Sequence, residues 1–404
     1  MIALVINLQL PYARERMITK MKRANGFSLV ELMISLVLGS VVTAGVVQLF
    51  VANSETHKLL QGQSRMQESA RFALDFIGRD IRKAGYRGCF SSNDQLNHTF
   101  DAAALFIPYE YDLRNGITGF DATDEGEWTP DITNALPYTN ASGTDDNVFF
   151  LAADGYGQGN GIDLDQISSG TDIVTFRNLS SVESRVRDTL NTTAIALVVN
   201  IKQGWNEFRT DQLIMIHDCA EATMFRVTSI SPNLAGNPST ISQDLTVGRA
   251  VGDTDATANV TQQINGDNVF QSDAAVSAIQ SNTYYIRPGT GFNNSGQHPL
   301  SLWKKTSLEA PIELIEGVED LQLLYGEDTD EDGVPNQYVP ANFVSNWLAV
   351  ATVRVTIVVS SIDDVGGTTL PTHGCTFQHC IDDEQFDGLI RRAFTQTFQL
   401  RNQS

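Results

Sequence analysis

Basic side chains are few in this sequence. Its 404 residues hold 27 Lys and Arg against 48 Asp and Glu, a formal net charge of −21. Five of the basic residues, Arg14, Arg16, Lys20, Lys22 and Arg23, stand before Gly26 with only Glu15 against them, so that segment is +4 and the rest of the chain −25. A chain this acidic is unsuited to tracking a phosphate backbone, which needs clustered Lys and Arg, so no nucleic-acid partner is expected. Catalytic signatures are missing as well. There is no nucleophile elbow, P-loop, dinucleotide-binding glycine motif or HExxH helix. The histidines, among them His57, His98, His217 and His298, are scattered and read as surface or satisfied core residues. The chain is not expected to be an enzyme.

Long apolar runs are absent with one exception. Ile2 to Leu10 is too short to span a bilayer and is followed by Pro11. Residues 1–16 read as an upstream extension of the reading frame, with Met17 and Met21 as later starts. The exception is Phe27 to Ala52, 26 residues whose only ionisable side chain is Glu31. As a helix this run crosses the roughly 30 Å hydrocarbon core, and the basic segment before it keeps the N-terminus cytoplasmic. A carboxylate in lipid costs a few kcal/mol unless it finds a partner, which marks Glu31 as functional; the alternative is that it snorkels to the headgroups.

The flanks of the run decide between these. An ordinary secretory signal is cut after its apolar region, whereas here Lys20-Met-Lys-Arg-Ala-Asn-Gly26 precedes it, Phe27 opens it and Glu31 is the fifth residue after the glycine. This pattern resembles the class III leader of type IV pilins and type II secretion pseudopilins. The resemblance implies that a prepilin peptidase cuts after Gly26 and methylates the new N-terminus at Phe27. It also implies that Glu31 pairs with the Phe27 amine of a neighbouring subunit, which satisfies a desolvated charge and sets register.

From Asn53 the helix continues into water. Leu59, Met66, Ala70, Ala73, Ile77, Ile81 and Ala84 recur mostly three and four apart, laying one apolar stripe along one side. Gly85 is its stop signal, and Gly39, Gly45, Gly62 and Gly78 are soft points. The text from Ala70 to Cys89, with Arg79-Asp-Ile-Arg82, Ala84-Gly-Tyr86 and a nearby cysteine, resembles the PilW family of minor pilins. Together with the leader, the likeness covers residues 27–89. It implies a low-abundance subunit that primes pilus assembly near the tip and supports motility or adhesion. Its implied partners are other minor pilins, the major pilin, the inner-membrane assembly platform and a tip adhesin.

The remainder reads as a β-rich head. Strand-like runs are expected at 147–151, 172–176, 194–201, 212–217, 224–230, 283–287, 300–305, 312–315, 318–325, 348–360 and 394–400, with polar, loop-rich stretches at 90–170 and 231–278. The fold class is α+β: a long N-terminal helix packed on a large, mostly antiparallel β head with long loops. Its expected parts are a leader (1–26), a transmembrane half-helix (27–52), an amphipathic half-helix (53–85) and the head (86–404).

Only four cysteines occur, Cys89, Cys219, Cys375 and Cys380, on what the orientation makes the oxidising, periplasmic side of the membrane. They allow three pairings. The short Cys375–Cys380 loop is the economical pair, leaving Cys89 to Cys219. A zinc site of His373, Cys375, His379 and Cys380 is disfavoured, since no paired CxxC is present.

Glu327-Asp-Thr-Asp-Glu-Asp-Gly-Val-Pro-Asn336 carries one further chemistry. Asp328, Asp330 and Asp332 at alternate positions, Gly333 for a sharp turn, the Val334 carbonyl and Asn336 follow the opening of an EF-hand loop and suit calcium. The closing Glu would fall at Val339, and no helix-loop-helix surrounds the loop, so the reading is a truncated DxDxDG-type site. The alternative is an acidic surface turn. Two other functions are compatible with the sequence: a minor pseudopilin of type II secretion, and a calcium-dependent adhesin on a pilin-like anchor.

Overall fold

The computed structural model describes residues 28–90, 96–99, 109–123, 127–130, 148–149, 162–163, 166–180, 184–187, 196–200, 208, 212–231, 242–246, 270–272, 274–307, 309–365 and 388–402. Residues 1–16, Gly26, Phe27, Cys375 and Cys380 lie outside them. Two compact units divide at Thr56 and His57.

One helix, α1 (Leu29–Lys83, 55 residues), passes through both. In the first unit its side chains are solvent-facing: Leu29 and Phe50 are 75% and 74% exposed, and the Leu, Val and Ile residues between them are also uncovered. Ser35, Ser40 and Thr43 satisfy their hydroxyls on helix carbonyls three or four residues back, which leaves an apolar cylinder with little polar demand. This helix is long and apolar enough to cross a membrane.

In the second unit the strands are β1 (Leu96–His98), β2 (Ile117–Ala122), β3 (Trp128–Thr129), β4 (Val148–Phe149), β5 (Ile162–Asp163), β6 (Ile173–Leu179) and β7 (Ser184–Val186). They continue as β8 (Ala196–Asn200), β9 (Leu213–His217), β10 (Ala222–Arg226), β11 (Ser229–Ser231), β12 (Ser242–Thr246) and β13 (Ala275–Pro288). Last come β14 (Leu300–Thr306), β15 (Ile312–Glu316), β16 (Val318–Glu327), β17 (Gln337–Val339), β18 (Val350–Ser360) and β19 (Arg391–Gln399). The larger sheet runs β1-β10-β9-β13-β7-β8-β12-β11, with β14 and β15, and β6, β2 and β3, also attached through β13. The smaller sheet runs β17-β16-β18-β19. Every pairing described is antiparallel except β1 with β10. The fold is thus the α+β, pilin-like arrangement of one long helix with a mostly antiparallel head.

The main core lies between helix and small sheet. Met66, Ala70, Ala73, Leu74, Ile77, Ile81 and Ala84 pack with Leu321, Leu323 and Tyr325 of β16, Val353, Val355, Ile357 and Val359 of β18, and Phe398 of β19. Leu59, expected in the stripe, is half-buried and outside this cluster. Gly78 is a contact rather than a soft point: a Cβ there would run into the Phe398 ring, so glycine lets the last strand lie against the helix. The helix ends where Gly85 adopts φ 76° and donates its N–H to the Arg177 carbonyl at 2.8 Å.

The sequence reading missed β12 and the first half of β13. Ala275-Val-Ser-Ala-Ile is rich in small residues and buried throughout, because β13 is a central strand flanked by β7 and β9. Its burial on both faces removes the alternation that marks a half-exposed strand.

Candidate functional site

Three places carry charge where the fold gives it consequence: the start of α1, its junction with the head, and the turn after β16. Glu31 lies in the first turn of α1, where the helix dipole favours an anion. Its side chain is exposed, and among the described residues no basic group pairs with it. Its expected partner, Phe27, and the cleavage residue Gly26 lie outside the described residues.

The junction turns on Asp80. It occupies the buried stripe of α1 between Ile77 and Ile81, yet is a carboxylate only 7% exposed. The Tyr284 hydroxyl on β13 donates to its Oδ2 at 2.6 Å, and Lys304 Nζ on β14 donates to the same oxygen at 2.8 Å. Burial, and then the Asp80 charge, push the Tyr284 phenol well above its usual range, so it remains a neutral donor. Asn402 adds a second tie, its side-chain amide donating to the Arg82 and Ala84 carbonyls at the helix end. Just beyond, Cys89 and Cys219 form a disulfide, joining the segment after α1 to the turn between β9 and β10.

Two more buried ionisable side chains hold the head together. Arg177 on β6 donates to the Tyr109 and Asn115 carbonyls and the Thr118 hydroxyl, with its guanidinium 4.2 Å from the Tyr109 ring centroid. Asp172 accepts N–H bonds from Ala122 of β2 and Leu323 of β16, linking the two sheets. Burial pushes its carboxyl well above the ordinary range in spite of those two bonds. The sequence reading assigned no role to Asp80, Asp172 or Arg177. Asp80 had a readable signal, a charge on an apolar helical stripe, whereas the partners of Asp172 and Arg177 exist only after long-range pairing.

The turn between β16 and β17 gathers three carboxylates. Asp328, Asp330 and Asp332 bring one oxygen each within 4.8 Å of one another. Asp328 accepts the N–H groups of Asp332 (3.2 Å) and Gly333 (2.7 Å), and Asp332 accepts that of Val334 (2.8 Å). Gly333 has φ 85° and Glu331 φ 60°, the left-handed values of a tight reversal. Asn336 is turned inward: its Oδ1 accepts from the backbone and hydroxyl of Thr329, and its Nδ2 donates to Asp330. Each pair of like charges at this spacing repels by about 1 kcal/mol in water. The hard oxygen donors fit calcium; Asn336 would have to re-orient to ligate. The base of the turn is rigid, because buried Glu327 accepts from Ser345, Asn346 and Gln337.

Residues 21–47 match the family model described as prokaryotic N-terminal methylation motif, which takes in Lys22, Arg23, Gly26, Phe27 and Glu31. Residues 283–402 match the model described as type IV pilus-assembly protein W, PilW. Over these two stretches the chain is similar to the PilW family of type IV pilus-assembly proteins. No curated protein and no solved structure matches it. The PilW match runs from the second half of β13 through β19, so it takes in Tyr284, Lys304, the acidic turn and the whole small sheet. The family's matched text thus includes both the surface that receives α1 and the residues that fasten it. The two matches support a membrane-anchored, pilin-like pilus component, and the leader implies contact with a prepilin peptidase and with pilus components.

Proposed function

We propose that the chain is a minor pilin that is cut after Gly26, methylated on Phe27 and held in the inner membrane by α1 with its head in the periplasm. It then enters the pilus, at or near the tip, to prime assembly with other minor pilins and the major pilin on the inner-membrane platform, supporting motility or adhesion. The observation that carries this reading is the helix itself. Its first half is uncovered and apolar but for one carboxylate, its second half is fastened into a large head, and a methylation motif runs across its start. Glu31 gains most where another subunit presents an ammonium in lipid. A large head is hard to repeat along a shaft and easier to place at an end. Intact mass and N-terminal peptide sequencing of the membrane-derived protein provide the test. A chain starting at N-methylated Phe27 is the expected result; one starting at Met1, Met17 or Met21 in cells with active prepilin peptidase rejects it.

Calcium binding at Asp328, Asp330 and Asp332, with the Val334 carbonyl and Asn336, is part of the proposal. The supporting fact is the convergence of carboxylates on a tight turn. Millimolar calcium is expected to raise the melting temperature of the full-length protein by several degrees, and Asp330→Asn is expected to abolish the rise. An equal rise in that variant would remove calcium from this turn.

A further inference from the structure

The small sheet ends on β19, and among the described residues no strand pairs with its outer edge. Such edges are ordinarily blunted by shortness, proline, bulges or charged side chains, lysine above all. The opposite edge obeys this, since β17 has three residues. By contrast, β19 has nine and keeps register from Thr352↔Gln399 to Ser360↔Arg391 without a bulge. It contains no proline, glycine or lysine.

The phase of the strand shows which groups face out. Leu400 donates its N–H to the Ala351 carbonyl at 2.9 Å. In an antiparallel ladder this alternation turns residues 392, 394, 396 and 398 toward β18, and directs the N–H and C=O of Ala393, Thr395, Thr397 and Gln399 to the open side. Four donors and four acceptors are thus presented along roughly 20 Å. The charge of this edge is opposite to that of the molecule. From Gly388 to Asn402 there is no acidic residue, while Arg391, Arg392 and Arg401 are present in a chain of net −21. Arg391 is tied to Glu319 at 2.6 Å, whereas Arg392 and Arg401 are exposed.

We infer that β19 is a docking edge for an extended, acidic segment of a different pilus subunit, which adds as a fifth strand by backbone pairing and sets carboxylates against Arg392 and Arg401. A second copy of this chain suits the edge less well. The antiparallel self-pairing that uses all four outward residues, Ala393 opposite Gln399, places Arg391 opposite Arg401. The inference rests on the reading of the chain as a filament subunit.

The test uses full-length protein in assembling cells, with a photo-crosslinking amino acid at Gln399 and mass-spectrometric mapping of the product. A crosslink to an Asp- or Glu-containing segment of another pilus subunit is expected. Thr397→Pro removes an outward N–H without touching the ladder to β18, so the crosslink should fall at least tenfold with the melting temperature unchanged. Arg392→Glu, an exposed change, should weaken it several-fold and decides the matter if the proline variant does not fold. Crosslinks to β19 of a second copy, crosslinks only within the chain, or an undiminished yield in Arg392→Glu would overturn the inference. Wild-type protein in filaments without the crosslink removes only the docking edge; wild-type absent from filaments removes the subunit reading as well.

Discussion

Asp80 shows how one side chain can be both a fault in a pattern and the fastening of a domain. Removing it takes the shared acceptor from the half-buried Lys304 ammonium and leaves the buried Tyr284 hydroxyl only the Phe76 carbonyl at 3.4 Å, so Asp80→Ala should lose about 2 to 3 kcal/mol of stability. Asp80→Asn can still accept from Tyr284 and should lose only about 1 to 2 kcal/mol. Urea unfolding of both variants, with Lys304→Met as the second arm of a cycle, measures the coupling. Glu313 supplies a pH-dependent contribution. Partial burial raises its pKa, but hydrogen bonds from the hydroxyl and N–H of Thr290 and from Ser301, helped by Arg287, hold it below the ordinary 4.5. A carboxyl depressed on folding stabilises above its unfolded pKa and loses that contribution as pH falls through the folded value. Wild type should therefore melt above Glu313→Gln at pH 7, with the gap closing below about pH 4.5. Neither partnership was legible in the sequence. The stripe around Asp80 was, but Tyr284 and Lys304 lie 204 and 224 residues away.

Elements differed in legibility for reasons of environment. The helix stripe shows in the text because the helix buries one face, and Val353, Val355 and Ile357 alternate with Arg354 and Thr356 along a strand whose other face is left partly open only toward its start. The early part of β13 does not show, because it is covered on both sides, and of the strands before β6 only β4 falls in an expected run, since β1, β3 and β5 have two or three residues each. The acidic turn was legible as a cluster of carboxylates, but the inward turn of Asn336 toward Thr329 and Asp330 is a matter of side-chain geometry. The Cys89–Cys219 disulfide acts at this scale, closing a loop with a separation of 130 residues. On the chain-entropy model it contributes roughly 4 to 5 kcal/mol by restricting the unfolded chain. Cys219→Ser should lower the denaturant midpoint of the oxidised protein, and reduction should bring the wild type down toward the variant and close the gap between them.

At the scale of the whole molecule, an apolar helix half and a polar, acidic head belong to different solvents, and Glu31 is the one charge on the wrong side. Glu31→Ala should leave processing after Gly26 intact and reduce incorporation into filaments about tenfold or more, read by immunoblot of sheared pili against the membrane fraction. Wild-type incorporation would reject pairing with a neighbour's amine. The sequence exposed this organisation because bilayer thickness demands an uninterrupted run of apolar residues, a constraint no loop or sheet can imitate.

The contact of Phe398 with Gly78 and of Asn402 with the carbonyls of Arg82 and Ala84 has a consequence in time. The helix end and its cap are 320 residues apart, and translation proceeds at about 5 to 20 residues per second. The apolar stripe of α1 therefore waits roughly 15 to 60 seconds for its covering strand. During each round of synthesis the chain is half-closed with a greasy flank, open to capture by a holding factor or by the wrong neighbour. Its yield in the cell is governed by how long that interval lasts as well as by how stable the finished fold is.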